Sequence, residues 1–264
     1  MSRGAVNTYS IGTFCLQCAQ GTWEAPSLVN PDQSRANKLK RHVERSVLEQ
    51  DGIRRAVRDA GHGSLLLSDE DLESSLESAL TVRTANSPVW VFGYGSLIWN
   101  PLFAYAERRV AKVRGYHRGF CLWSKINRGS PQIPGLVLGL DRGGSCRGIA
   151  YRLHPTTVAE EFKLLWRREM LDGTYSPRWV NADTGTGIVS ALTFVANRKA
   201  AEYSGRLSDE NIVTTALSAR GHFGSCADYL LETATSLERH GIPDQRMRRL
   251  AKLLMARRHD PVRS

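Results

Sequence analysis

Residues 90–99 read Trp-Val-Phe-Gly-Tyr-Gly-Ser-Leu-Ile-Trp, and this stretch decides the fold more than any other part of the chain. Its aromatic and β-branched start predicts a buried strand, which ends abruptly at a Gly-Tyr-Gly-Ser turn. Gly93 and Gly95 carry no Cβ, so successive backbone N–H groups can face inward and surround a carboxylate or a phosphate. The same residues are also typical of an ordinary strand-to-loop turn. Both interpretations fit this stretch alone.

The length and composition of the chain limit its class. It has 264 residues, of which 41% are hydrophobic, and this suits one sizeable domain with an extension. No apolar run approaches the ~20 residues that a membrane-spanning helix needs. The first residues also lack the basic start and unbroken apolar core of a secretory signal. We therefore expect a cytoplasmic protein with no membrane partner.

The cysteines and histidines give no pattern of a metal or disulfide site. The five cysteines are Cys15, Cys18, Cys121, Cys146 and Cys226, an odd and scattered set that predicts no disulfide framework. Cys15 and Cys18 have the spacing of a metal or redox pair, but no second pair lies within ligand range. The seven histidines include no pair at i and i+4. The sequence predicts neither a metal nor another cofactor.

The net charge of +10 comes largely from two basic segments, residues 35–58 and 239–263. Solvated helix faces are the favoured interpretation, because no nucleic-acid-binding motif accompanies the charge. A positive field that attracts acidic ligands is a second interpretation. Nucleic acid is not an expected partner and remains a minor alternative.

The chain divides into three parts by composition and periodicity. Residues 1–40 have weak periodicity and are predicted to be a flexible N-terminal tail. Residues 41–85 are predicted to be a helical extension, and residues 86–260 the main domain. In the extension, Ser68 and Asp71 form a capping-box pattern before a helix whose leucines recur on one face.

The main domain has strand patterns first and helix patterns mostly afterwards. Strands are predicted at 89–92, 119–123, 136–140, 148–153 and 187–195, with a hairpin turn at 141–144. Helices are predicted at 157–170, 209–218, 225–239 and 243–258. This order indicates an α+β fold, a small curved sheet or barrel with helices packed on it.

The helix predicted at 157–170 carries one carboxylate at an unexpected place. Val158, Phe162 and Leu165 share one stripe at 100° per residue, and Glu169 falls in the middle of that stripe. Burial there would raise the pKa of Glu169 toward the range useful for proton transfer near neutral pH. The alternative is that the helix ends near Met170 and that Glu169 is solvated.

The other polar residues of this helix have ordinary expected roles. Thr157 can cap the helix, with Glu160 three residues later completing a capping box. Glu160 and Glu161 are assigned to the surface. Arg167 and Arg168 are placed opposite the apolar stripe.

Several segments together resemble the ChaC family of γ-glutamylcyclotransferases. The matching segments are VFGYGSLIWNP at 91–101, GYHR at 115–118, PGLVL at 134–138, GIAYRL at 148–153, WRREM at 166–170 and GHFGSCADYLL at 221–231. They occur in family order across about residues 65–255, which makes the joint pattern far more specific than any one segment. The resemblance implies the compact mixed barrel of the γ-glutamylcyclotransferase-like fold.

The resemblance also implies an activity and a site. Family members act on glutathione as lyases and release 5-oxoproline and cysteinylglycine without a metal or organic cofactor. Glu169 matches the catalytic glutamate of the family. The substrate-binding turn matches Phe92, Gly93, Tyr94, Gly95, Ser96 and Leu97. The turn would hold the substrate's carboxylate through backbone N–H groups, and the α-amine would attack its own γ-carbonyl after losing a proton to Glu169.

Weaker candidates surround these residues. Ser96 as an acyl-transfer nucleophile is disfavoured, because the turn is not a Gly-x-Ser-x-Gly elbow. Arginines that could pair with the glycine carboxylate are Arg118, Arg152 and Arg178, although each has a surface or structural interpretation. Tyr151 and Tyr175 are candidate pocket residues, with core packing as the alternative.

One position departs from the family pattern. Where many relatives have a basic residue after Pro-Gly, this chain has Leu136. The departure puts recognition of the peptide's far end in doubt but leaves Glu169 and the turn intact.

Other functions stay open from the sequence. A cyclotransferase for other γ-glutamyl amino acids or amines would use the same residues. A non-catalytic regulator linked to cation transport is the alternative of a different class, and the intact Glu169 on an apolar stripe argues against it. We expect a monomer, with a homodimer as the alternative.

Overall fold

The computed structural model describes residues 44–81 and 87–259. They fall in one unit of the chain, residues 38–264. The expectations for the tail at 1–40 and for Cys15 and Cys18 therefore lie outside the described residues.

A closed barrel of five strands forms the centre of the fold. Its strands are β1 (Trp90–Gly93), β2 (Tyr105–Ser124), β3 (Gly135–Leu153), β4 (Tyr175–Asp183) and β5 (Ile188–Ala196). Their order around the barrel is β1-β3-β2-β4-β5. The strand β1 pairs antiparallel with β3 and parallel with β5, which closes the barrel. The predicted α+β class, a small mixed barrel with packed helices, is confirmed.

The hairpin predicted at residues 141–144 is wrong. Residues 135–153 form one continuous strand, and β2 runs beside it over its whole length. Gly143 and Gly144 have φ angles of 98° and 72°, and the register shifts opposite Gly115. The two glycines therefore bend the strand at an irregularity instead of ending it. Residues 105–118 of β2 and all of β4 were not predicted.

Helices cover the barrel and form the N-terminal extension. They are α1 (Arg45–Glu49), α2 (Gly52–Asp59), α3 (Asp69–Thr81), α4 (Ser96–Trp99), α5 (Val158–Glu169), α6 (Asp209–Ser218), α7 (Cys226–Arg239) and α8 (Gln245–His259). A 3-10 turn spans Gly63–Leu65, and the short strands β6 (Arg220–Gly221) and β7 (Gly224–Ser225) pair before α7. No helix in the described ranges is long and apolar enough to cross a bilayer.

The extension packs closely on the main domain. The side chain of Arg167 donates to the carbonyl oxygen of Glu49 at 2.9 Å, and the N–H of Leu67 donates to Leu171 at 2.8 Å. The indole N–H of Trp166 donates to the hydroxyl of Ser75 at 2.9 Å. These bonds fix α5 against the extension. They thereby help to position the end of α5, where Glu169 lies.

The two predicted capping boxes differ in outcome. The Ser68 hydroxyl accepts from the Asp71 N–H at 3.0 Å, so Ser68 caps α3 as predicted. The Asp71 carboxylate accepts from the same hydroxyl at 2.7 Å and not from the Ser68 N–H, so the reciprocal half of the box is not formed. The prediction for Thr157 is wrong. Its hydroxyl donates back to the carbonyl of His154 at 3.4 Å and makes no cap bond.

Candidate active site

The Gly-Tyr-Gly-Ser turn lies between β1 and the one-turn helix α4. A Cβ on Gly93 would lie 2.9 Å from the Leu97 Cβ, so the turn closes tightly there. A Cβ on Gly95 would lie 3.2 Å from the Tyr229 hydroxyl oxygen. The φ of Gly95 is −131°, so a left-handed conformation is not the reason for this glycine. Close approach is the reason at both positions.

Backbone N–H groups of this turn are available to a ligand. No acceptor among the described residues is hydrogen-bonded to the Gly95 N–H. Ser96 and Leu97 are the first residues of α4, and the first N–H groups of a helix have no acceptor within it. The hydroxyl of Tyr151 donates to the Leu97 carbonyl at 3.0 Å and holds α4 in place. The turn can therefore accept a carboxylate.

Glu169 is the last residue of α5, and its side chain is 13% exposed. The alternative in which it is solvated is therefore wrong. Its Oε1 atom is buried without a hydrogen bond. Burial raises the pKa of the carboxyl above its ordinary value of 4.5, and the nearby charge of Arg168 opposes that rise. Glu169 thus has the environment of a proton acceptor.

Arg168 connects Glu169 to the turn, which corrects its predicted place on the outer face. Its side chain is 9% exposed, and Nε lies 3.0 Å from Glu169 Oε1. Nη2 donates to the Ser96 hydroxyl oxygen at 2.9 Å, and Nη1 donates to the carbonyl of Asn100. Periodicity alone puts Arg168 on the outer face, but α4 and the residue that follows it cover this end of α5 and bind the guanidinium. One guanidinium therefore bridges Ser96 and Glu169.

Glu161 also differs from its predicted surface role. Its side chain is 2% exposed and accepts from Arg45 at 2.8 Å. The extension therefore covers this face of α5, whereas Glu160 is exposed as predicted.

A cavity of about 90 Å³ opens beside Glu169. A smaller recess of about 20 Å³ lies against the turn and is lined by Tyr94, Gly95, Ser96 and Leu97. The two spaces share the residues Ser96, Glu169, Tyr175 and Tyr229. The structure thus brings the turn and the carboxylate together.

Phe92 and Gly93 lie behind the recess. Phe92 is fully buried, and its carbonyl accepts from the Thr193 hydroxyl at 2.9 Å. Neither residue is among those lining the two spaces. The structure therefore puts them behind the turn, where they shape it, and their contact with substrate stays a prediction.

Three tyrosines surround the recess. Tyr94 donates its hydroxyl proton to the Phe194 carbonyl at 2.7 Å, and Tyr175 donates to the Leu138 carbonyl at 2.7 Å. The Tyr229 hydroxyl oxygen instead accepts from the Leu138 N–H at 3.3 Å, so its own proton can be donated into the recess. Tyr175, which the sequence suggested as a pocket residue, therefore lines both spaces. Tyr151 does not.

The three arginines predicted for the peptide's far end do not line the cavity. Arg118 donates to the Tyr94 carbonyl at 2.6 Å and pairs with Asp244. Arg152 pairs with Glu107 at 2.9 Å. Arg178 is exposed.

Another arginine, Arg128, lines the cavity together with Asn127. Both lie in the loop between β2 and β3, where no periodicity distinguishes one polar residue from another. The Asn-Arg-Gly order before Pro-Gly was the only signal for them in the sequence. Leu136 is completely buried and is not among the lining residues.

The site lacks the groups that would activate Ser96 as a nucleophile. The Ser96 hydroxyl oxygen accepts from Arg168, and no histidine is among the described residues that line the two spaces. Within residues 44–81 and 87–259, no group of three His, Cys, Asp or Glu side chains is placed to hold a metal ion.

Comparison with known proteins gives consistent relatives. The family model described as ChaC-like protein matches residues 89–257. The chain is 38% identical over 182 residues to the glutathione-specific γ-glutamylcyclotransferase of Escherichia coli, covering 69% of this chain and 79% of that protein. It is 36% identical over 173 residues to the human glutathione-specific γ-glutamylcyclotransferase 1, covering 63% of this chain and 78% of that protein.

A solved structure shows the same fold. The crystal structure of a γ-glutamylcyclotransferase specific to glutathione from yeast superposes with a TM-score of 0.60 at 21% identity. The match covers 66% of this chain and 99% of the yeast chain.

Proposed function

The chain belongs to the ChaC-like family, and from this premise we propose that it cyclises the γ-glutamyl group of glutathione, releasing 5-oxoproline and cysteinylglycine. One observation carries the proposal. The Arg168 guanidinium lies 3.0 Å from the buried Glu169 carboxylate and 2.9 Å from the Ser96 hydroxyl of the turn. The names of the bacterial and human relatives support glutathione as the substrate.

The turn holds the glutamyl end of the substrate in this proposal. The N–H groups of Gly95, Ser96 and Leu97 bind the α-carboxylate, because a helix start favours an anion. The positive charge of Arg168 lies behind them and strengthens this binding. The α-amine of the substrate then lies toward Glu169.

Glu169 acts as the general base. The α-ammonium gives a proton to Glu169, and the free amine attacks the γ-carbonyl carbon to form a C–N bond. The bond from that carbon to the cysteine nitrogen then breaks as Glu169 passes this proton to the leaving nitrogen. The ring nitrogen gives up its second proton through the same carboxylate, and the cysteinylglycine amine takes it up and leaves as an ammonium. Burial raises the pKa of Glu169, which brings it closer to that of the amine and favours the first transfer.

Two further effects lower the barrier. The nucleophile and the electrophile belong to one molecule, and well-oriented intramolecular reactions reach effective molarities on the order of 10⁵ M. The Tyr229 hydroxyl is the donor placed to stabilise negative charge on the γ-carbonyl oxygen as the ring closes.

The proposal extends to the compartment and the assembly. The three cysteines in the described part of the chain, Cys121, Cys146 and Cys226, are free and buried, which suits a reducing compartment such as the cytoplasm. We propose a monomer that uses no cofactor and binds no nucleic acid or membrane. Light scattering of the purified chain measures the mass directly.

The test is a parallel assay with two substrates. The full chain is incubated with glutathione and with γ-glutamyl-alanine, and 5-oxoproline is measured by mass spectrometry. Faster release from glutathione supports the proposal. Faster release from γ-glutamyl-alanine favours the broader cyclotransferase, and no release from either substrate contradicts both.

A further inference from the structure

Arg128 is the charged residue of the cavity that the proposed reaction leaves unused. We propose that Arg128 forms a second carboxylate subsite, which binds the glycine carboxylate of glutathione and favours γ-glutamyl peptides with a free C-terminus over γ-glutamyl amines. This inference rests on the proposed function and deepens it by assigning the far end of the substrate.

The first argument is that Arg128 is buried without an acidic partner. The residue is 7% exposed, and its side chain makes one hydrogen bond within the described ranges, from Nη1 to the Phe223 carbonyl at 2.6 Å. No carboxylate in those ranges lies within 4.0 Å of its guanidinium. The charge of Asp228 acts on this guanidinium without forming an ion pair with it. A buried cation that no carboxylate pairs directly is unfavourable, so the site is suited to an anion that comes from outside.

The other charged groups of the cavity are already engaged. Arg168 lies beside Glu169 and donates to Ser96. The Asp172 Oδ1 atom accepts from the Thr174 N–H at 3.2 Å and from its hydroxyl at 2.7 Å. Among the described residues that line the cavity, Arg128 is therefore the cation left for a ligand.

Aromatic rings fix the orientation of Arg128. Its Cζ atom lies 5.2 Å from the ring centre of Tyr229 and 5.9 Å from that of Trp99. Contact with the two rings holds the plane of the guanidinium while Nη1 is bound to Phe223. The remaining N–H groups can then bind a carboxylate with both oxygens, which a flexible lysine does less well.

The loop that carries Arg128 is also held rigidly. A Cβ on Gly221 would lie 2.5 Å from the backbone carbonyl carbon of Asn127, so this contact requires glycine. The N–H of His222 donates to the Ile126 carbonyl at 2.9 Å, and the N–H of Phe223 donates to the Asn127 carbonyl at 3.1 Å. The Gly-His-Phe-Gly segment at residues 221–224 thus holds the loop in place. The proposed reaction does not use this segment directly.

Asn127 supplies a neighbouring polar group. Its Oδ1 atom is buried without a hydrogen-bond partner among the described residues, and it lines the same cavity. It can accept the N–H of a peptide whose carboxylate is bound by Arg128. A γ-glutamyl amine has neither this peptide group nor the terminal carboxylate.

The test compares glutathione with the analogue whose glycine carboxylate is an amide. For the wild type we expect kcat/KM to be roughly 10²-fold higher for glutathione, the scale of losing a buried charged pair. Arg128→Met should bring this ratio close to 1 by lowering activity on glutathione, with activity on the amide retained. Arg128→Lys should restore part of the preference. Arg178→Met, on the exposed surface, is the matched control and should leave the ratio unchanged.

Each possible failure has a separate signature. Equal kcat/KM of the wild type for the two substrates, or an unchanged preference in a folded Arg128→Met variant, overturns the subsite. If that variant does not fold, the wild-type comparison still decides. Calorimetric binding to Glu169→Gln isolates affinity from turnover. If Glu169→Gln binds glutathione more tightly than the amide but the wild type releases no 5-oxoproline, the proposed function alone is contradicted. Equal binding of both compounds contradicts the subsite.

Discussion

Glu169 shows how burial gives an ordinary residue its chemistry. An apolar side chain would satisfy its position better, because Oε1 is buried without a hydrogen bond. Arg168 lies beside the carboxylate at 3.0 Å, in the geometry of an ion pair without a hydrogen bond. Such an arrangement costs stability and is typical of a residue that has to exchange a proton.

The first prediction is that Glu169→Gln abolishes turnover and leaves the fold and substrate binding largely intact. The amide is nearly isosteric but cannot accept the ammonium proton, so kcat should fall by roughly 10² or more. The measurement is 5-oxoproline release, with Glu160→Gln on the exposed face of α5 as the control. Most of the wild-type rate remaining in Glu169→Gln would show that another group is the base.

A second prediction concerns pH and the same carboxyl. Its folded-state pKa is raised above 4.5 by burial, so the folded protein keeps this proton to higher pH than the unfolded chain does. Forming the charge therefore destabilises the folded state as pH rises through the folded pKa. Below the unfolded value the cost is absent.

The measurement is the free energy of unfolding of the wild type and of Glu169→Gln across pH. The variant should be the more stable one near pH 8, and its advantage should vanish near pH 4. A constant difference at all pH values would mean that Glu169 is not the titrating group.

At the scale of elements, the two glycines of the turn between β1 and α4 have different roles, one in stability and the other in substrate binding. The Cβ of an alanine at Gly93 would meet the Leu97 Cβ at 2.9 Å, inside the packed turn. At Gly95 it would meet the Tyr229 hydroxyl at 3.2 Å, at the edge of the recess. Neighbouring glycines therefore face different surroundings.

The third prediction follows from that difference. Gly95→Val should weaken glutathione binding at least ~10-fold, because its methyl groups enter the recess and displace the substrate. Gly93→Ala should instead lower stability by about 1–3 kcal/mol through overpacking, with normal binding by the folded fraction. Thermal melts and calorimetric titration separate the two effects. Wild-type affinity in folded Gly95→Val would contradict the assignment of the turn.

The elements differ in how well the sequence predicts them. The helices at 157–170 and 209–218 have clear apolar stripes, and both are present within a residue or so. The early part of β2 was missed although its burial alternates, because its residue types do not follow that alternation: Glu107 and Arg109 lie on the less exposed face and Val110 on the exposed one. In β4, Pro177 and exposed polar residues hide a strand that is only half buried. Hydrophobic periodicity detects a strand only where apolar residues occupy one face, and these two segments carry polar residues on both faces.

The site follows the same rule. Glu169 was predictable because it breaks an apolar stripe, and the turn because two glycines interrupt a strand. Arg128 and Asn127 were not predictable, because their burial depends on the loop meeting residues 221–223 almost a hundred positions later. A local pattern carries no information about such a meeting. The prediction that Arg168 lies on the outer face was wrong for a related reason, because segments distant in sequence enclose the end of α5.

At the scale of the whole molecule, the extension completes the site. Ile53 of α2 lines the cavity, and Arg45 neutralises the buried Glu161. The carbonyl of Glu49 accepts from Arg167, two residues before Glu169. The extension and the barrel are therefore one structural unit in the part of the chain that the structure describes.

The fourth prediction compares two truncations. Removing residues 1–40 should leave activity within about twofold, because that segment has no core-forming periodicity and lies outside the family resemblance. Removing residues 1–81 should lower both thermal stability and activity, because it exposes Glu161 and opens the cavity at Ile53. A folded first truncation without activity would show that the tail, including Cys15 or Cys18, contributes to the site.

The parallel pairing of β1 with β5 sets the order in which the enzyme can become active. Trp90 pairs with Ala191 at a sequence distance of about one hundred residues, so closing this seam carries a large loop entropy and is expected late in folding. The substrate-binding turn follows β1 directly, so it reaches its position only once β1 has paired with β5. On dilution from denaturant, protection of the β1 amides in pulsed hydrogen exchange should therefore precede or accompany the return of activity, and helix formation alone should restore no activity.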